Sequence, residues 1–222
     1  MLSLAFDGTR HSRTILCLGA HSDDIEIGCG GTILRLLSAY APVRVVWVVF
    51  SAEGVREREA RSSAARFLAE ADTHHVVINT FRDGFFPFEG AKIKDVFEEV
   101  VRNVEPDVIF THSRDDRHQD HRLISDLTWQ TFRDHLILEY EVPKYDGDLG
   151  RPNCYVPLSA SHCKGKIAHL MDIFGSQRGK GWFTEETFRG LMRLRGIECA
   201  SASGWAEAFT ARKLVIGIPS RD

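Results

Sequence analysis

An α/β fold, with a mostly parallel sheet and helices on both faces, is predicted by three features of the sequence. Short apolar runs alternate with helical patterns over the first two thirds of the chain, and the connections between them are short. The second run, VRVVWVVFS (Val43–Ser51), is nearly continuous in β-branched and aromatic residues, as a strand buried on both faces requires. A chain of 222 residues can bury a sizeable core. One domain is expected, with a core over about residues 12–142 and a carboxyl-terminal elaboration over about 143–222.

TILCLGA (Thr14–Ala20) reads as a buried strand, and GTILRLLSAY (Gly31–Tyr40) follows with Ile33, Leu34, Leu36 and Leu37 at helical spacing. After the second strand, Arg56–Ala71 is rich in helix formers, and HHVVINT (His74–Thr80) is a third strand. Lys92–Val104 places Ile93, Val96, Phe97, Val100, Val101 and Val104 on one helical face; Pro106 ends it, and DVIFTH (Asp107–His112) is the next strand. Asp120–His135 reads as a helix and LILEYEV (Leu136–Val142) as a strand. Beyond Pro143 the chain turns rich in Pro, Gly and Asp and reads as a long ordered loop. Helical patterns at Lys164–Phe174 and Thr184–Leu194 and a last strand, KLVIGI (Lys213–Ile218), complete the reading.

A net charge of −3 gives no electrostatic case for nucleic acid as a partner. No apolar run approaches the roughly 20 residues of a membrane span, and the opening MLSLAFDGTRHSR acquires Asp7 and Gly8 too early for a secretory signal. The five cysteines are scattered, odd in number and lack a C-x-x-C pair, which argues against a disulfide framework or a cysteine zinc site. A reducing, cytoplasmic setting is expected; whether the chain forms a homo-oligomer is left open.

Chemistry concentrates in two polar clusters. HSDD (His21–Asp24) follows the first strand, and RHQDH (Arg117–His121) follows the fourth. In a parallel sheet the loops after the strands gather at the carboxyl edge, so both clusters should meet on one rim. His21 and Asp24, three apart, can reach one point; His118 and His121, also three apart, can face the same way, one binding metal and the other free beside it. His21, Asp24 and His121 would make a His₂Asp set with an open position for water, whose pKa a metal brings toward neutrality. Asp23 can then accept the water's proton. His118 can stabilise an oxyanion and deliver a proton to a leaving amine, with Asp120 orienting its ring. Each motif alone also reads as a capped turn or helix start; their convergence favours hydrolysis of a carbonyl compound, most plausibly an amide. GCGG (Gly28–Gly31) lacks the phosphate-loop pattern and reads as a tight turn into a helix. His112 is equally a supporting residue or a packed one.

These motifs resemble those of the LmbE-like, or PIG-L, metal-dependent N-deacetylases. The first signature stands as Ala20-His21-Ser22-Asp23-Asp24-Ile25-Glu26 with Gly30-Gly31-Thr32, and the second as His118-Gln119-Asp120-His121. Weaker agreement continues at Arg56–Ala60, Ser176–Gln177 and Ala206–Phe209. The resemblance implies a Rossmann-like fold and zinc held by His21, Asp24 and His121. It also implies Asp23 as general base, His118 as electrostatic or acid catalyst with Asp120 as its partner, and a substrate-contacting arginine matched by Arg56. Ser22 departs from the family's usual proline.

The implied activity is zinc-dependent removal of an N-acetyl group from an N-acetylated amino sugar or its conjugate. Fe²⁺ and Co²⁺ also suit a His₂Asp set. Tyr140, Glu141 and Arg151, in or beside the long loop, are candidates for binding the sugar. The alternatives are an ester or phosphoester hydrolase, and a catalytically silent sugar-binding module on the same fold.

Overall fold

The computed structural model describes residues 12–215. Strand β1 (Arg13–His21) is followed by α1 (Asp24–Ala39), β2 (Val43–Ser51), α2 (Val55–Phe67), β3 (Thr73–Ile78), α3 (Gly90–Asn103), β4 (Val108–His112), α4 (Gln119–Thr131) and β5 (Ile137–Tyr140). Then come β6 (Cys154–Leu158), α5 (Ala160–Ile173), α6 (Glu185–Glu198) and β7 (Trp205–Thr210). The strands form one sheet in the order β3-β2-β1-β4-β5-β7-β6. The first five run parallel; β7 pairs antiparallel with β5, and β6 antiparallel with β7.

The alternation of side chains along the central strands builds two cores. Ile15, Cys17, Val45, Trp47 and Val49 face one way and pack with residues of α1, α2, α5 and α6. Leu16, Leu18, Val46, Val48 and Phe50 face the other way, against Ile93 and Phe97 of α3 and Ile124 of α4. Strands covered on both faces have no use for polar alternation, which explains the continuous apolar runs. Strand order reverses between β1 and β4, so the crevice beyond their carboxyl ends is the place where such a sheet opens a site.

Three sequence expectations are corrected. The glycine cluster is not a turn: α1 begins at Asp24 and carries Gly28, Gly30 and Gly31 inside it. A Cβ on Gly28 would stand 2.2 Å from the Tyr140 ring, and one on Gly31 would stand 2.6 Å from Leu158. The glycines thus let a buried helix lie close against β5 and β6. The stretch after Pro143 is not loop throughout, because Cys154–Leu158 forms the edge strand β6, where Pro157 is tolerated for want of a further neighbour. The last strand is β7, earlier than expected; Lys213–Val215 is irregular, and the remainder of KLVIGI lies outside the described residues. Among the described residues, no helix is long and apolar enough to cross a membrane.

Candidate metal centre and active site

Strand β1 ends at His21, and the chain turns through Ser22 and Asp23 into α1, with Asp23 at its N-cap position. Asp24 Oδ2 accepts from the His21 backbone N–H at 2.6 Å, which folds the two side chains together. From the other side of the crevice, His118 caps α4 and His121 lies in its first turn. Three donor atoms meet there. His21 Nδ1 is 3.1 Å from His121 Nε2 and 3.2 Å from Asp24 Oδ2, and His121 Nε2 is 3.5 Å from Asp24 Oδ2. All three residues are buried.

The outer nitrogens of both rings are committed. His121 Nδ1 lies 2.9 Å from Asp116 Oδ2. His21 Nε2 lies 3.2 Å from Asp120 Oδ2 and 3.1 Å from Asp83 Oδ1. A ring that donates its outer N–H to a carboxylate turns a bare lone pair inward. Two inward lone pairs and a carboxylate oxygen at these separations repel one another unless a cation sits among them. Tetrahedral donors about 2.0–2.1 Å from a zinc ion would stand roughly 3.3–3.4 Å apart, so the observed edges fit such an ion. The donor set therefore suits a divalent metal held by His21, Asp24 and His121.

The charges agree. Burial works against a charge on His21, yet Asp24, Asp120 and Asp83 outweigh it and hold the ring well above its usual range. Burial likewise opposes ionisation of Asp24, but His121, His112 and His21 keep its carboxyl well below the ordinary value. The field that draws a proton to the His21 ring would draw a metal ion. Asp23 differs: burial, then the neighbouring Asp24, pushes its carboxyl up, with Arg56 opposing. A carboxylate of raised basicity beside the donor set suits a proton acceptor.

Arg56, at the start of α2, reaches over this base. Its Nη2 lies 3.3 Å from Asp23 Oδ1, its Nη1 3.0 Å from Asp83 Oδ2, and its Nε donates to Ser22 Oγ at 3.1 Å. Arg58 is exposed and Arg61 pairs with Glu57, so Arg56 alone of the three points inward. The hydroxyl at position 22 thus has a partner that a proline could not supply. His118 stands edge-on to His21 with ring centroids 4.9 Å apart, and burial and His121 push its pKa down. It is placed to touch a ligand at the donor set.

Asp120 is where the structure departs most from the sequence reading. Its carboxylate does not orient His118. Oδ2 accepts from Gly84 N at 2.6 Å and faces His21; Oδ1 accepts from Phe86 N at 3.1 Å. Only the Asp120 backbone N–H touches the His118 ring, at 3.3 Å. Asp120 therefore supports His21 and ties down the loop after β3. His112 is wholly buried, stacks on His121 at 3.9 Å, accepts from Ala20 N at 2.9 Å and brings Nε2 to 3.3 Å from Asp24 Oδ2, so it fixes the plane of a donor ring at the edge of the donor set.

The expected sugar-binding residues separate. Tyr140 is completely buried and its hydroxyl donates to Leu18 O at 2.7 Å; it is a core residue. Glu141 is locked in a bidentate pair with Arg195, at 2.6 and 2.9 Å. Arg151 is exposed in the loop before β6. Conversely, Asp116 and Asp83 carry weight that sequence reasoning missed. Asp116 stands five residues before His121 in a visibly acidic run, whereas Asp83 has no sequence signal, because only the fold brings its loop to His21.

Known proteins share this fold. The family model described as PIG-L, GlcNAc-PI de-N-acetylase, matches residues 16–132. The uncharacterised deacetylase YaiS of Escherichia coli K12 is 31% identical over 140 residues, which cover 58% of this chain and 74% of YaiS. The N,N'-diacetylchitobiose deacetylase of Pyrococcus horikoshii superposes with a TM-score of 0.64 at 20% identity, over 89% of this chain and 82% of that one. GalB, a 4-carboxy-2-hydroxymuconate hydratase of Pseudomonas putida KT2440, gives 0.68 at 17% identity, over 94% and 99%. The matched segment contains both polar clusters and every residue of the donor set, and the chain belongs to the PIG-L family of de-N-acetylases.

Proposed function

We propose that the protein is a divalent-metal-dependent N-deacetylase, with zinc as its metal, acting on an N-acetylated amino sugar or a conjugate of one. One observation carries the reading: two imidazole lone pairs and the Asp24 carboxylate converge beside Asp23, a separate carboxylate of raised basicity. His21, Asp24 and His121 hold the ion, which when bound supplies Lewis acidity to water and to a carbonyl oxygen. Fe²⁺ or Co²⁺ fits the same donors.

The chain's own groups do the rest. Asp23 takes a proton from the attacking water. His118, across the donor set, hydrogen-bonds the acetyl oxygen as negative charge develops there. Arg56, already spanning Asp23 and Asp83, holds a hydroxyl or anionic group of the substrate and fixes its approach. Asp23 then returns the proton to the departing nitrogen, so that water and amide become acetate and free amine. Tyr140 and Glu141 take no part in sugar binding, since each is already used inside the fold. Arg151 remains a substrate contact from the loop.

The same fold serves a hydratase, so fold similarity alone does not select the reaction. Purified protein with its metal quantified, assayed for acetate release on a panel of N-acetylated sugars and conjugates, tests the proposal. Asp23→Ala should keep the metal and lose roughly 10²–10⁴ in rate; His121→Ala should lose the metal. A loaded Asp23→Ala enzyme of near-normal rate refutes the base assignment. Loaded wild type that releases no acetate but cleaves esters or phosphoesters shifts the reaction class, and no turnover at all favours a binding module.

A further inference from the structure

Between α5 and α6 the chain forms a strap, residues 175–182, whose two ends are sunk in the core through the buried Phe174 and Phe183. Bonds to two different elements hold it. On one side Glu59, one turn beyond Arg56 on α2, accepts from Ser176 N at 2.8 Å and from Ser176 Oγ at 2.5 Å. On the other, Gly181 N donates to the Tyr145 hydroxyl at 3.1 Å. The residue before that tyrosine, Lys144, pairs with Asp116, the carboxylate behind His121. Between these ties the strap is closed by its own backbone, with Lys180 N donating to Gln177 O at 2.9 Å and Phe183 N to Lys180 O at 3.0 Å. Lys180 is thus carried on a span anchored to the helix of Arg56 and to the loop that supports His121.

Its charge reaches the site. Burial, then Asp24, push the Asp23 carboxyl up, and Arg56, His21 and Lys180 oppose them. Arg56 is already engaged with Asp23 and Asp83. Lys180 is exposed, holds its ammonium 5.4 Å from the centroid of the Trp182 ring, and forms no ion pair among the described residues. A cation held near the base without a carboxylate of its own is free to take an anion from a ligand. We propose that Lys180 is a specificity-determining residue that binds an anionic group, phosphate or carboxylate, on the conjugated position of the amino sugar. The inference rests on the deacetylase reading and narrows its substrate to one carrying negative charge beside the acetamido group. An ammonium on a flexible stem is a compact point charge that accepts either anion without demanding a fixed fork geometry. The strap that carries it is ordered before the ligand arrives, which lowers the cost of binding.

The test is calorimetric binding, to the zinc-loaded full chain, of three amines that differ only at C1 of the sugar: methyl glucosaminide, carboxymethyl glucosaminide and glucosamine 1-phosphate. They carry no acetyl group, so binding is read whether or not the protein releases acetate. At least one anionic compound should bind roughly tenfold or more tightly than the methyl glycoside, and the tighter of the two names the anion. Lys180→Met should erase that preference and Lys180→Arg should restore most of it. Where acetate release is found, Lys180→Met should raise KM for the matching N-acetylated anion far more than it changes kcat. Equal affinity for all three amines in wild type overturns the proposal. A preference that survives Lys180→Met also overturns it, and would assign the anion to Arg56. Acetate release from neutral sugars with no anion preference would leave the deacetylase reading standing and refute this one. Lys180-dependent anion binding with no acetate release from any N-acetylated counterpart would do the reverse.

Discussion

Asp116→Asn isolates the support of a metal ligand from the ligand itself. Asp116 Oδ2 accepts from His121 Nδ1 at 2.9 Å, while Oδ1 accepts from His118 N at 2.8 Å and pairs with Lys144 Nζ at 3.0 Å. Asparagine is isosteric, and its amide oxygen can stay on His118 N and Lys144. Its NH₂ then faces His121 Nδ1, which must accept rather than donate. The proton moves to Nε2, the atom that points at His21 and Asp24, and the inward lone pair is gone. Ligation now requires the wrong tautomer to be undone against a buried amide. Loss of such an outer partner costs about 10–100-fold in metal affinity, or about 1.4–2.8 kcal/mol. Metal-free stability should change little. Lys144 keeps Asp148 at 2.5 Å, and in the new tautomer His121 Nε2 can donate to His21 Nδ1 at 3.1 Å. Zinc affinity is read by competition with a chelating dye, and stability by thermal unfolding in chelator. Unchanged zinc affinity with an intact fold would refute the claim that His121 binds through Nε2. An equal drop in metal-free stability would show that Asp116 serves the fold rather than the site.

Two further perturbations test the surroundings. Lys166 Nζ and Glu207 Oε1 form an ion pair at 2.6 Å with both side chains 3% exposed, and Glu207 also accepts from the Gly31 and Thr32 N–H groups. Lys166→Met strands a buried carboxylate and should cost about 3–5 kcal/mol, lowering the melting temperature by about 6–20 °C; a loss below about 1 kcal/mol would contradict the burial of the pair. Ser22→Ala removes the acceptor that steadies Arg56, so KM should rise several-fold, in line with about 0.5–1.5 kcal/mol for one hydrogen bond, with kcat held. A fall in kcat at constant KM would instead tie Ser22 to the geometry of Asp23.

The parallel half of the fold was legible because strands buried on both faces write long apolar runs and the helices between them carry their own period. Val43–Ser51 and Lys92–Val104 needed no tertiary information. The antiparallel extension was not legible. β6 is a five-residue edge strand containing Pro157, and β7 carries Glu207 at its middle, buried where Lys166 of α5 and the N–H groups of Gly31 and Thr32 meet it. The glycine cluster was visible but misread, since a glycine required for close packing and one required for a turn look the same in a sequence.

At the site the division follows distance along the chain. His21, Asp23 and Asp24 lie on one turn, and His118 and His121 on another, so local spacing determined which side chains could act together. What each carboxylate does was decided in three dimensions. Asp120 looked like the partner of the histidine two residues before it, yet it bonds His21, nearly a hundred residues away, and the backbone of Gly84 and Phe86. Tyr140 looked available to a sugar and is sealed under Gly28. Asp83 looked like nothing and holds both Arg56 and His21. A sequence determines the reactive groups and their nearest neighbours. The partners that set their tautomers and charges come from the strand order, which alone brings the loops after β1, β3 and β4 to one edge of the sheet.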